Sequence, residues 1–224
     1  ILDTSSSISD DLGELKSSVN GLLDQLEASG TQTKAVNVTF NDSASSTGWL
    51  GIDDARNAVD GLTTGGGTDY AEAINTAISA FEDAGKIPGA TNASVYESDG
   101  LPNSGNEVDD TLKAEWQQFL SDNAILSNAV GIGSITDDSE LQPIAYDGVS
   151  GQSVSPILGD ITNLGDLLSS IGETVIGAAS NGATIDVDLG AGSNTIELGN
   201  GDDLPGVVAF EDSRIAGDDI TLVV

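Results

Sequence analysis

The 224 residues contain no cysteine, no histidine and no methionine. Without cysteine no disulfide can staple the fold, and thiol chemistry is excluded. Without histidine the chain can build neither imidazole zinc sites nor Ser-His triads. The missing initiator methionine leads to the expectation of a piece cut from a longer polypeptide. Basic residues are nearly absent: 6 Lys and Arg stand against 37 Asp and Glu, a formal net charge of −31 at pH 7. Such a surface repels nucleic acid and anionic membrane and attracts divalent cations. It also strains the compact state unless salt or bound cations screen it. No apolar run approaches the length of a membrane span, and no signal peptide is visible.

What is present is enough for a lean core. Hydrophobic residues make up 38% of the chain, aromatics only 4%, and there are 28 glycines. Acidity of this degree favours disorder, but the apolar residues are periodic, which argues for folding. Leu12, Leu15, Val19, Leu22, Leu23 and Leu26 repeat as a helix over 7–30, with Gly30 where a C-terminal cap belongs. Ala35, Val36, Val38 and Phe40 alternate and predict a strand over 34–40; 49–51 reads as a short neighbour. Helices follow over 53–62, 70–84, 108–124 and 163–175. Strands follow over 93–99, 125–133 and 155–161, with a short helix or turn at 141–146. Strands alternating with helices predict an α/β fold: a doubly wound, mostly parallel sheet with helices on both faces. The expected division is a domain over 1–175 and a small β-rich segment over 176–224.

Three short stretches carry chemistry. Asp3-Thr4-Ser5-Ser6-Ser7 places a carboxylate and two hydroxyls at alternate positions on a turn leaving a strand. Oxygen donors of this kind suit a hard cation, Mg²⁺ or Ca²⁺, although a helix N-cap explains the serines equally well. Gly65-Gly66-Gly67-Thr68-Asp69 leads into the next helix. Its glycines read as a flexible connection, and no Gly-Lys-Ser/Thr follows to make a phosphate loop. Ser98-Asp99-Gly100 ends a further strand. In open parallel sheets ligands bind beyond the carboxyl ends of the strands, and all three stretches fall there.

In this order, with these elements between them, the three stretches resemble the metal-ion-dependent adhesion site of a von Willebrand factor A domain, over roughly residues 1–175. The resemblance implies that Asp3, Ser5, Ser7, Thr68 and Asp99 surround a Mg²⁺ or Ca²⁺ ion, some of them through water. Two carboxylates and three hydroxyls would leave the coordination incomplete, so a partner's carboxylate would complete it. Asp69 reads as an acidic first-turn residue and not a ligand. Two features depart from the pattern. Glu97 puts a charge in a strand that should be apolar, so either it reaches solvent or the metal at the strand end, or the strand is short. The strand ahead of Asp3 also consists of only Ile1 and Leu2.

The tail carries Gly190-x-Gly192-x-Asn194 and Gly199-x-Gly201-x-Asp203 at a nine-residue period, resembling the calcium-binding nonapeptides of repeats-in-toxin proteins. That would add further Ca²⁺; the simpler reading is a hairpin of 184–187 with 195–198. Ile220-Thr221-Leu222-Val223-Val224, read ahead of Ile1, would complete the central strand as in a circularly permuted or reordered chain. The alternative is an unrelated strand, the true upstream one having been trimmed.

The resulting expectation is a cation-dependent adhesion domain of a large extracellular adhesin, of the repeats-in-toxin type, on a bacterial cell surface or in a biofilm. It would bind a protein or peptide presenting an acidic group, as a monomer, without nucleic acid or membrane insertion. The first rival is a calcium-stiffened spacer that meets no partner. The second is a metal-dependent hydrolase, for which only Glu97 or Asp69 could act as base; catalysis is not expected.

Overall fold

In the computed structural model, residues 1–133, 138–181, 184–188 and 219–223 are described. Contacts divide the chain into two units, Ile1–Ile176 and Gly177–Val224.

The first unit begins with β1 (Leu2–Asp3). The helical leucine repeat becomes α1 (Leu12–Ala28), but the helix does not start at Ser7: Ser7–Asp10 is a separate 3-10 turn. Next come β2 (Val38–Phe40), β3 (Ala44–Ser46), α2 (Ile52–Asp60), α3 (Tyr70–Phe81) and β4 (Asn92–Ser98). They are followed by α4 (Asp110–Asp122), β5 (Ile125–Ile132), β6 (Tyr146–Asp147), β7 (Gln152–Ser153), β8 (Ile157–Gly159) and α5 (Leu164–Asn181).

The sheet order is β3-β2-β1-β4-β5-β6-β7, with β8 also pairing to β5. β1 lies parallel between β2 and β4, and β5 is parallel to both β4 and β8. β3 and the β6–β7 hairpin are antiparallel. This is the mostly parallel α/β sheet that the alternation predicts. Both faces are covered because successive strand residues point to opposite sides. Tyr96 and Ala129 pack into one cluster with Tyr70 and Ile74 of α3 and Leu112, Trp116 and Leu120 of α4. Val130 and Ile132 pack into the other with Leu15, Val19 and Leu23 of α1, Val59 of α2, and Leu164 and Leu168 of α5.

Other details also differ from the sequence reading. The alternating run over 34–40 enters the sheet only at β2; Ala35 makes a single bridge to Leu50, and 49–51 is not a strand. The antiparallel neighbour of β2 is Ala44-Ser45-Ser46, whose residues have little strand preference and whose exposed edge position needs none. Glu97 lies in a full-length β4, opposite Leu2 on one side and Val130 on the other, and is only 2% exposed. Neither a solvent-reaching end nor a short strand describes it. It is a buried carboxyl whose Oε2 has no hydrogen-bond partner among the described residues.

The ladder between β1 and β4 is short. Ile1 N donates to Val95 O at 2.7 Å and Glu97 N to Ile1 O at 2.9 Å. Further back, no described residue pairs with Asn92–Ser94 on the β1 side. A cleft of about 160 Å³ opens there, between Val36 and Val38 on one wall and Ala93 and Val95 on the other, with Trp49, Phe81 and Phe119 also lining it.

In the second unit, β9 (Thr184–Asp188) pairs antiparallel with β10 (Asp219–Val223). Ile220–Val223, read from the sequence as the front of the central strand, pair with β9 in this ladder, and Val224 lies outside the described residues. The register sets Leu222 opposite Ile185 and Ile220 opposite Val187, so apolar positions coincide in a sheet of two strands. The nonapeptide-like stretch 190–203, including the hairpin partner 195–198, lies outside the described residues.

Candidate functional site

Parallel pairing of β1 with β4 brings the carboxyl ends of both strands to one edge, so Asp3 and Ser98-Asp99 become neighbours. The Asp3 carboxylate is fully buried. One oxygen accepts the Ser5 amide at 2.8 Å, and the other accepts the Ser98 hydroxyl. Ser7 donates its hydroxyl to Asp99 Oδ1 at 2.8 Å. Ser7 has one hydroxyl hydrogen, so in the 2.8 Å contact between Ser5 Oγ and Ser7 Oγ the donor is Ser5. Ser5, Ser7 and Asp99 thus form one directed chain beside Asp3.

The turn itself is pinned from below. Thr4 donates both its amide and its hydroxyl to Phe40 O of β2, at 2.8 and 2.9 Å. The glycine loop then lies along the turn: Gly65 N donates to Thr4 O at 2.9 Å, and Ser6 N to Gly66 O at 3.1 Å. These bonds bring Thr68, 6% exposed, to the same edge as the other candidates. Asp69 is the N-cap of α3, accepting the Glu72 amide at 2.8 Å, one position ahead of the first turn in which the sequence reading placed it. Tyr70, fully buried, donates its hydroxyl to Gly100 O at 2.6 Å and fixes the chain just beyond Asp99.

The structure thus joins Asp3, Ser5, Ser7 and Asp99 by hydrogen bonds and brings Thr68 in through its loop. Sequence reasoning missed Ser98, which holds Asp3, and Asp42 and Asn103, which hold the glycine loop. Ser98 was visible only as part of a strand-end motif. Asp42 and Asn103 sit in loops with no spacing relation to the site.

Burial pushes the Asp3 carboxyl above the usual carboxylate range; the Ser98 and Ser5 bonds oppose this, and the neighbouring Asp99 adds to it. Asp99 is raised too, by burial, with the Ser7 bond opposing. Two desolvated carboxylates side by side destabilise each other's charge, and a divalent cation is what would relieve both. Among the described residues no group of three or more Asp, Glu, His or Cys side chains could hold a metal. The donors available here are therefore two carboxylates and neutral hydroxyls, a set that fits a hard divalent ion. Glu97, behind the site, is pushed up to about 7 by burial, with the Ile1 ammonium pulling it back.

Residues 1–169 match the family model for the von Willebrand factor type A domain. Among solved structures, the chain is similar to a von Willebrand factor type A protein from Catenulispora acidiphila, with TM-score 0.61 and 21% identity, covering 79% of this chain and 41% of that one. It is similar to proximal thread matrix protein 1 from the mussel byssus, with TM-score 0.58 and 17% identity, covering 78% and 44%. It is also similar to the vWF domain of the type V pili tip protein Mfa5 from Porphyromonas gingivalis, with TM-score 0.61 and 10% identity, covering 81% and 95%. The chain thus spans less than half of the first two proteins. Identities this low establish likeness of fold. No curated protein sequence matches the chain.

Proposed function

The chain belongs to the von Willebrand factor type A domain family, and from that premise we propose that it is a divalent-cation-dependent adhesion domain that binds a protein or peptide carboxylate. The observation that carries this reading is the Ser5–Ser7–Asp99 hydrogen-bond chain beside the buried Asp3 carboxylate. Asp3, Ser5, Ser7, Thr68 and Asp99 would hold the ion, Mg²⁺ or Ca²⁺, as a metal-ion-dependent adhesion site. The bound ion would supply a Lewis-acidic position for an incoming carboxylate. This chain's residues supply the rest: a buried anion at Asp3, oriented by Ser98 and the Ser5 amide, and neutral hydroxyls that leave the charge incompletely offset.

The role is binding and not catalysis. The two carboxylates available as general bases are engaged elsewhere: Asp69 caps α3 and Glu97 is buried in β4. We place the domain in a bacterial surface adhesin, of the repeats-in-toxin type. A pili tip protein among the structural neighbours, the net charge of −31 and the Gly190–Asp203 repeat support that placement.

Calorimetric titration of Mg²⁺ and Ca²⁺ into the chain tests the reading, with Asp3→Ala as control. One cation should bind at the site of the parent chain and be lost in the variant. An acidic peptide should then bind the parent only in the presence of cation. Cation binding unchanged in Asp3→Ala would refute the site. If the cation binds but the cation-loaded chain takes up no acidic peptide, the calcium-stiffened spacer is favoured.

A further inference from the structure

We infer that Asp42 and Asn103 are positioning residues that clamp the glycine loop and set where Thr68 stands. This rests on the proposed role of Thr68 at the cation. Asp42 lies in the turn between β2 and β3; its Oδ1 accepts the Gly67 amide at 2.8 Å. Asn103 lies in the loop between β4 and α4; its Oδ1 accepts the Thr68 amide at 2.6 Å, while its backbone N–H donates to Thr68 O at 2.9 Å. Both backbone groups of Thr68 are therefore held by one residue. Asn103 is itself anchored, since Asn106 N donates to Asn103 O at 2.9 Å and Asn106 O accepts the amides of Tyr70 and Ala71 at 3.1 Å each.

The glycines now have a reason other than flexibility. Gly66 has φ +77°, and a Cβ there would lie 2.5 Å from Asp42 Oδ2. A Cβ on Gly67 would run into both Asp42 Oδ1 and Asn103 Oδ1. The two glycines are the space through which both side chains reach the loop's amides. The loop is thereby fastened on both sides: to Thr4 and Ser6 through Gly65 and Gly66, and to Asp42 and Asn103 through Gly67 and Thr68. A side-chain ligand on a loop holds its position only if the loop's backbone is fixed to a fraction of an ångström. Groups that orient a metal ligand typically change affinity by roughly 10–100-fold when removed.

The test is calorimetric titration of Mg²⁺ and Ca²⁺ into the full chain carrying Asp42→Ala, Asp42→Asn, Asn103→Ala, Asn103→Asp or Thr68→Ala. Asp42→Ala and Asn103→Ala should each weaken Mg²⁺ binding by roughly 10-fold or more. Mg²⁺ should suffer more than Ca²⁺, because Mg²⁺ demands near-ideal geometry and Ca²⁺ tolerates distortion. Asp42→Asn and Asn103→Asp keep the accepting oxygen and should restore most of the affinity. If Asp42→Asn loses as much as Asp42→Ala, the effect is charge and the clamp is refuted. If the alanine variants bind as the parent does while Thr68→Ala does not, the clamp fails and the cation site stands. If Thr68→Ala and Asp3→Ala both bind as the parent does, the underlying site reading fails instead.

Discussion

Ser7 donates a 2.8 Å hydrogen bond to Asp99 across 92 residues of sequence. It closes the gap between the turn after β1 and the end of β4, and the two carboxylates of the site, Asp3 and Asp99, meet around it. Without an ion this arrangement is costly, because burial raises both carboxyls and each charge opposes the other. The consequences can be measured.

Divalent cation should raise the melting temperature beyond the effect of NaCl at equal ionic strength. A ligand at 100 times its Kd stabilises the folded state by about 2.7 kcal/mol. The gain should vanish in Asp3→Ala. Equal melting temperatures with and without chelator, at constant ionic strength, would sink the linkage.

Ser98→Ala should weaken cation binding while leaving the sheet intact. The Ser98 hydroxyl holds one oxygen of Asp3, and a hydrogen bond to a charged group contributes about 1.5–3 kcal/mol. Affinity from cation titrations should drop by about tenfold or more. An unchanged affinity would show that the Ser5 amide alone orients Asp3.

Glu97→Gln should stabilise the protein at pH 8 and have little effect at pH 4. The Glu97 carboxyl is raised from 4.5 to about 7, so the folded state holds the proton more tightly than the unfolded chain. Its contribution is complete below pH 4.5 and is lost as pH rises towards about 7. The full difference is on the order of 3 kcal/mol, at 1.36 kcal/mol per pH unit. Denaturant melts of parent and variant across this window decide it; a pH-independent difference would rule out an ionising Glu97.

Apolar residues added ahead of Ile1, for instance Val-Leu-Val, should raise the melting temperature. They would extend β1 along the edge of Asn92–Ser94 and fill the cleft of about 160 Å³. A buried aliphatic side chain contributes roughly 1.5–3 kcal/mol. A matched extension of Ser-Gly-Ser should give no gain; equal effects of the two would show that the cleft does not accept a strand.

Trp116→Phe tests the core on the other face. The Trp116 indole is almost fully buried and donates to Ile144 O at 3.0 Å. The substitution orphans that carbonyl and leaves a gap, so a loss of roughly 2–4 kcal/mol is expected from chemical denaturation. A loss below about 1 kcal/mol would mean that the neighbouring Phe119 moves in to refill the site.

The sequence by itself determined the element types wherever one face repeats: the leucines of α1, the alternation of Val38 and Phe40, and Gly30 just past the end of α1. It also determined which donor atoms a cation could meet, since a chain without His or Cys offers only oxygen. Asp3, Ser5 and Ser7 were legible because two-residue spacing on a turn is a local pattern. Tertiary structure alone decided what lies beside what. Ser98 reached Asp3, and Asn103 reached Thr68, because separate loops fold to one sheet edge, and no local spacing encodes that. The same holds for Ala44–Ser46, a strand only because β2 is there to pair with it, and for Glu97, whose burial is set by β1 and β5 on either side. It holds again for Ile220–Val223, whose apolar alternation suits more than one ladder and which pairs with β9. Periodicity records which face of an element is apolar; pairing partners and burial depend on contacts between residues distant in the chain.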